Sequence, residues 1–265
     1  MSNKKNFGYA KKTSTSILYE KPNEDNPFVA ESVYIHGYNL TELTSKKSFV
    51  EVLILLFTGE LPNANAMALM NALMVGLINP GPRNPAVRAA MTAGISKSNT
   101  PHLLPIGLMV LGGEDGGATE VEKSMSFILE AFSNNNRFYS SFDFDKTDTS
   151  EGDFKIAPGF GSYFSQRCPV THQIAEQLIA FPETKYLNWL HSQIIDSENN
   201  SAGWLPVGLA AATFLDLGIK PREGIGLYQL LCAPGIAAHA LEQTHKPLSS
   251  MPFLEDSQYE LKQKR

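Results

Sequence analysis

Cysteine is scarce in this 265-residue sequence: Cys168 and Cys232 are the only two, with no Cys-x-x-Cys spacing and no metal-ligand pattern nearby. That excludes a disulfide scaffold, predicts no bound metal and fits a reducing, cytoplasmic setting. Positive charge is also short. The 22 Lys and Arg against 27 Asp and Glu leave a net charge of -5, which argues against a general nucleic-acid binder. Long apolar runs are missing. The longest, Phe49 to Phe57 and Leu205 to Leu217, fall short of the roughly 20 residues that span a bilayer, so no membrane partner is expected. The N-terminus lacks the apolar segment of a secretory signal. No G-x-S-x-G elbow, H-E-x-x-H pair, phosphate-binding P-loop or fixed-period repeat occurs.

What is present reads as helix. Hydrophobic residues make up 43% of the chain, enough for a globular core. Residues 1 to 25 are polar, and their Lys4, Lys5, Lys11 and Lys12 read as a solvated extension, with order expected from near Phe28. Ser48 and Glu51 form a capping box before the apolar run from Phe49, and Gly59 is placed to close that helix. Pro62 and Asn63 open a second helix to about Ile78, whose Met67, Leu69, Met70, Leu73, Met74 and Leu77 form a core stripe. Asn84-Pro85 and Thr100-Pro101 read as caps followed by proline in the first turn, and Thr119 with Glu122 as another capping box. Residues 133 to 157 form a long polar loop, a candidate lid or linker. Helices resume after Pro169 and Pro182, through Ala202 to Leu217, after Pro221 and after Pro234-Gly235. Strand alternation is confined to Val33-Tyr34-Ile35, so the expected class is all-α.

Two glycine-bearing segments stand out. Gly112 to Ala118 lies between helices and reads either as a tight turn or as backbone that approaches a ligand; Pro158-Gly159-Phe160-Gly161 is a second turn. The six histidines are dispersed, and each alone reads as structural or exposed.

In order along the chain, these segments carry more. Tyr34 to Leu40 leads into Ser48 to Pro62; then come Gly116-Gly117-Ala118, Pro158 to Gly161, Asn200 to Gly203 with Leu215 to Gly218, and Gly235 to Glu242. Together, over about residues 28 to 247, they resemble the citrate synthase family and especially its short citryl-CoA lyase-like branch. The resemblance implies an all-α, citrate synthase-like fold with a large helical domain (1–118 and 205–265) and a smaller one (119–204). It also implies acyl-CoA as substrate or ligand with a small carbonyl compound as partner, no bound cofactor, and a homodimer or a hetero-oligomer with a homologous subunit.

The same resemblance locates departures from the family's chemistry. A histidine before the Gly-Gly-Ala turn falls at Asp115, and the histidine after Gly-Phe-Gly at Ser162, followed by Tyr163. The aspartate base falls at Ala202, one arginine at Cys232 and another at Lys246; near the N-terminus the Arg-Gly-Tyr-Asp pattern becomes His36 to Asn39. Alanine cannot take a proton, and cysteine and lysine cannot form the arginine fork that a dicarboxylate needs. Two functions are therefore open. A divergent carbon–carbon lyase or synthase would use Asp115 as acid or base, Ser162 and Tyr163 as donors and His239 nearby. A catalytically inactive binding or regulatory subunit would leave Asp115 as a turn residue and His239 as a brace between helices. CoA contacts are expected at Gly159, Phe160, Gly161 and Arg167, weakened because the family's Asp-Pro-Arg element is Cys168-Pro169-Val170 here.

Overall fold

The computed structural model describes residues 11–134, 153–163, 166–195, 203–260 and 262. The chain divides into two compact units, Met1–Met67 and Ala68–Arg265.

The first unit holds more strand than expected. β1 (Leu18–Pro22) pairs antiparallel with β2 (Ala30–Ile35), which pairs with β3 (Tyr38–Asn39). Order thus begins before Phe28. Cross-strand pairs supply what alternation in the sequence did not advertise: Tyr19 stacks on Tyr34 at 6.1 Å, and Lys21 pairs with Glu31. His36 and Gly37 form the two-residue turn, both at positive φ (46° and 86°), the mirror-image geometry that suits a twisted hairpin. Asn39 then caps α1 (Leu40–Lys46) by accepting from the amides of Thr41 and Glu42. The motif His36 to Asn39 is therefore a turn and a cap. α2 (Phe49–Thr58) starts at the expected Ser48–Glu51 capping box and stops at a left-handed Gly59. Ile35, Leu43 and Leu55 form the core of this unit.

α3 (Ala64–Leu77) carries the chain into the second unit, with Leu69, Met70, Leu73 and Leu77 buried as its stripe predicts. α4 (Pro85–Ile95) begins at Asn84, whose side chain accepts from the Ala86 amide. α5 (Thr100–Leu111) is capped at Asn99, one residue before the expected Thr100, without a side-chain hydrogen bond. α6 (Ala118–Ser133) starts at Gly117. The expected Thr119–Glu122 box does not form, because the Thr119 hydroxyl donates back to the Gly112 carbonyl and tightens the glycine turn.

β4 (Asp153–Ala157) and β5 (Phe160–Tyr163) make an antiparallel hairpin where the sequence predicts the end of the polar loop 133–157 and the Pro158–Gly161 turn. Its apolar alternation is too short to stand out beside the Ser- and Asp-rich stretch before it; residues 135–152 of that stretch lie outside the described residues. α7 (Pro169–Ile179) and α8 (Lys185–Ile195) follow. α9 (Pro206–Asp216) is buried on all sides from Val207 to Leu215 and packs against α6, α8 and α10, as a central helix must. α10 (Pro221–Thr244) is one continuous helix where two were expected. Pro234 lies inside it, and the next amide, that of Gly235, donates sideways to the Ile78 carbonyl at 2.9 Å. α10 is long and apolar enough to cross a membrane by composition, yet it packs against α4, α5, α6 and α9.

Candidate functional site

The glycine turn 112–117 and the β4–β5 hairpin meet at one buried acid. Glu120, in the first turn of α6, is 3% exposed. Its carboxylate accepts from the Gly116 amide in the turn, from the Gly159 amide at 2.8 Å in the hairpin, and from Lys155 Nζ at 3.0 Å. Lys155 also donates to Asp115 Oδ1 at 2.8 Å. One lysine thus serves two acids. Burial works to lower the Lys155 pKa, but the hydrogen bonds and charges of Asp115 and Glu120 outweigh it and hold the ammonium form. The same ammonium keeps Asp115 below the usual carboxylate range.

Gly159 is required where it stands. Its φ is +82°, and a Cβ there would lie 2.7 Å from the backbone of Gly208 in α9. Gly208 is held reciprocally: its Cβ would meet the Gly159 carbonyl oxygen at 2.2 Å. The Gly159 carbonyl accepts from Leu205, and the Gly161 amide donates to Gly203. The 203–205 segment therefore extends the hairpin, with Phe160 bridged to Trp204 and the two rings 5.2 Å apart. The amides of Gly159 and Gly161, expected to face CoA, are engaged inside the protein, and Phe160 is fully buried. Among the four residues expected to contact CoA, Arg167 alone is left to offer a charged group.

The hairpin separates two of the expected catalytic groups, Asp115 and Ser162. In the antiparallel register Lys155 faces Gly161 and Phe154 faces Ser162, so the Lys155–Asp115 pair and Ser162 lie on opposite faces of the hairpin. Asp115 is largely exposed, and Ser162 is 1% exposed, its hydroxyl without a hydrogen-bond partner among the described residues. The backbone of Tyr163 closes β5 opposite Asp153. His239 lies on α10, where its Nε2 is 3.2 Å from Asn79 Oδ1. It braces α10 against the segment that Gly235 approaches. Cys232 is buried, and burial pushes its thiol up to about 12, so it supplies no thiolate at neutral pH. Lys246 pairs with Glu242 one helical turn back, at 2.7 Å. Ala202 lies outside the described residues.

Glu120 and Lys155 are the residues the sequence reading missed. Glu120 sits two positions from Glu122, which carried the expected capping box, and nothing local separates their roles. Lys155 lies in a segment taken as loop. Among the described residues no group of three or more His, Cys, Asp or Glu could hold a metal ion.

No protein-family model and no curated protein sequence matches this chain. Solved structures do. The chain is similar to citryl-CoA lyase from Hydrogenobacter thermophilus, with a TM-score of 0.72 and 24% identity over 96% of both chains. It is similar to the ATP citrate lyase of Methanothrix soehngenii, solved with citrate and coenzyme A, at a TM-score of 0.68 and 16% identity; the match covers 97% of this chain and 44% of that one. It is also similar to citrate synthase from Thermotoga maritima, with a TM-score of 0.55 and 14% identity over 100% of this chain and 98% of that one. The fold is therefore citrate synthase-like and mostly helical.

Proposed function

We propose that this chain is a binding or regulatory protein that uses a citrate synthase-like scaffold to hold a CoA thioester without making or breaking citrate-type carbon–carbon bonds. The observation that carries this reading is the hairpin register, which places Asp115 and Ser162 on opposite faces. Enolisation requires a base at the acyl carbon and a donor at the forming enolate oxygen, aimed at one substrate from the same cavity. Asp115, neutralised by Lys155 and turned to solvent, and Ser162, buried beneath the other face, do not meet that requirement. Gly159 and Gly208, by contrast, are explained by the close approach of their backbones.

One observation favours the alternative of a divergent lyase or synthase. Asp115 is an ionised, accessible carboxylate on a glycine turn, able to act as a base toward a ligand that approaches from solvent. Both readings take acyl-CoA as the ligand, a homodimer or a complex with a homologous subunit as the assembly, and 119–204 as the smaller domain.

Acetyl-CoA in deuterated buffer, followed by NMR, separates them. The binding reading expects no exchange of the acyl methyl protons above the protein-free rate, no turnover with oxaloacetate, and weak CoA binding by calorimetry that Arg167→Ala abolishes. Methyl exchange that disappears in Asp115→Asn would establish the enzyme reading instead. No heat with CoA from either protein would end the CoA assignment, and sedimentation of a stable monomer at all concentrations with no partner recovered would end the assembly.

A further inference from the structure

Three nitrogen atoms on or near α7 and α8 take no part in the joint of Glu120, Lys155 and Asp115. Arg167 Nε, His172 Nδ1 and His191 Nδ1 are all buried, and all lack a hydrogen-bond partner among the described residues. An unpaired buried polar atom is costly, so three in one place call for an explanation. They are neighbours. The rings of His172, on α7, and His191, on α8, stack with centroids 5.3 Å apart and planes 23° apart. The Arg167 guanidinium acts on His191 through its charge, and the Arg167 stem crosses the backbone at Gly203, where a Cβ would lie 2.7 Å from Cγ. His191 is only 8% exposed, so its free nitrogen does not face bulk solvent.

The chemistry of the missing partner follows from the donors. A guanidinium Nε only donates, and an imidazole nitrogen donates once protonated. A group with several lone pairs and negative charge satisfies all three. α7 begins at Cys168 and Pro169 without a side-chain cap, so the field of its first turn adds to the same preference. Glu176 does not fill the role: it lies 3.7 Å from Nε2 of His172, the opposite nitrogen, and more than half of its side chain is exposed.

We propose that Arg167, His172 and His191 bind a small oxyanion, a carboxylate or phosphate group, and take up a proton from solvent onto an imidazole as they do so. Without the anion, burial holds the His191 pKa below its usual value, and the charges of His172 and Arg167 act in the same direction, opposed by Glu176. α9, packed on α8, carries one ionisable side chain, Asp216, and that is committed to the amides of Tyr186 and Leu187 at the far end of α8. An anion reverses this balance. It raises the His191 pKa, and by linkage its affinity falls as pH rises through that value. The proposal rests on the CoA reading only in so far as CoA is the source of the phosphate.

The test is a pH titration of the imidazole Cε1–H resonances in the full chain, with inorganic phosphate, acetate or CoA, each against chloride at matched ionic strength. Phosphate or acetate is expected to raise the His191 pKa by about one unit, equivalent to about tenfold tighter binding of the anion to the protonated form. Arg167→Gln is expected to cancel the shift and Arg167→Lys to keep part of it. A response to phosphate or acetate without one to CoA supports the site and removes CoA as its source; a response to phosphate and CoA but not acetate identifies the phosphate. If neither phosphate nor acetate moves the imidazoles beyond chloride, or if Arg167→Gln responds as the wild type does, the proposal is overturned.

Discussion

Glu120, just past the end of the glycine turn at Gly117, and Asp115, inside that turn, are acids five residues apart, and both bind Lys155. Their surroundings give them opposite roles. The Glu120 side chain is 4% exposed and adds two backbone amides from separate segments to its lysine. The Asp115 side chain is 78% exposed and has the lysine alone. The first joins the glycine turn to the hairpin; the second rests on the surface of that joint. The same ion-pair chemistry is therefore structural in one place and nearly free of structural duty in the other, because water competes for one and not for the other.

The sharpest break of this contrast is Glu120→Ala. It strands a largely buried lysine and the Gly159 amide, and is expected to cost about 3 kcal/mol, the lower end for a broken buried pair since Lys155 keeps Asp115. Urea unfolding of the variant should show it; a loss below about 1 kcal/mol would mean that the joint is not supported from Glu120. Gly208→Ala attacks the joint from the α9 side. Its Cβ would meet the Gly159 carbonyl at 2.2 Å, and separating two backbones costs about 2 kcal/mol. A thermal midpoint equal to that of the wild type would show that the approach is not fixed.

Asp216 extends the comparison to a half-buried acid whose carboxylate accepts from two backbone amides, those of Tyr186 and Leu187. Burial raises its pKa to about 6, against the opposing effect of those amides and of Lys185. The folded state then holds a proton that the unfolded chain releases, from the ordinary aspartate pKa near 4 up to about 6. Stability contributed by this group is present below about pH 4 and lost as pH rises to about 6. In Asp216→Asn that part of the pH dependence should flatten, as read from urea midpoints at pH 4, 5 and 6; an unchanged slope would assign it to other groups. The smallest effect is expected from Asp115→Asn, within about 1 kcal/mol, the range of an exposed pair. A larger loss in urea unfolding would erase the distinction between the two acids.

The helical half of the fold was legible because its signals are local. Ser48 with Glu51, Asn84 before Pro85 and Gly59 act within a turn of their own position, and the structure uses all of them. Errors arose where a distant segment competes for the same atoms. Thr119 left its expected cap for the Gly112 carbonyl, and α10 continues through Pro234 because the Gly235 amide finds Ile78. β1 was missed because its cohesion comes from cross-strand partners, and β4 because its partner strand lies across a turn from a polar stretch.

By itself the sequence determined the class of the fold and the order of most helices. Spacing, capping and residue type carry both. Only the tertiary structure decided what the retained glycines and the unremarkable polar residues do. Gly159 is glycine because Gly208 passes beside it, Glu120 differs from Glu122 because Lys155 and the Gly159 amide reach it, and His172 differs from the other histidines because His191 lies against it. Each of those facts is a distance between residues far apart along the chain, and the range over which side-chain types and local spacing act is a few residues.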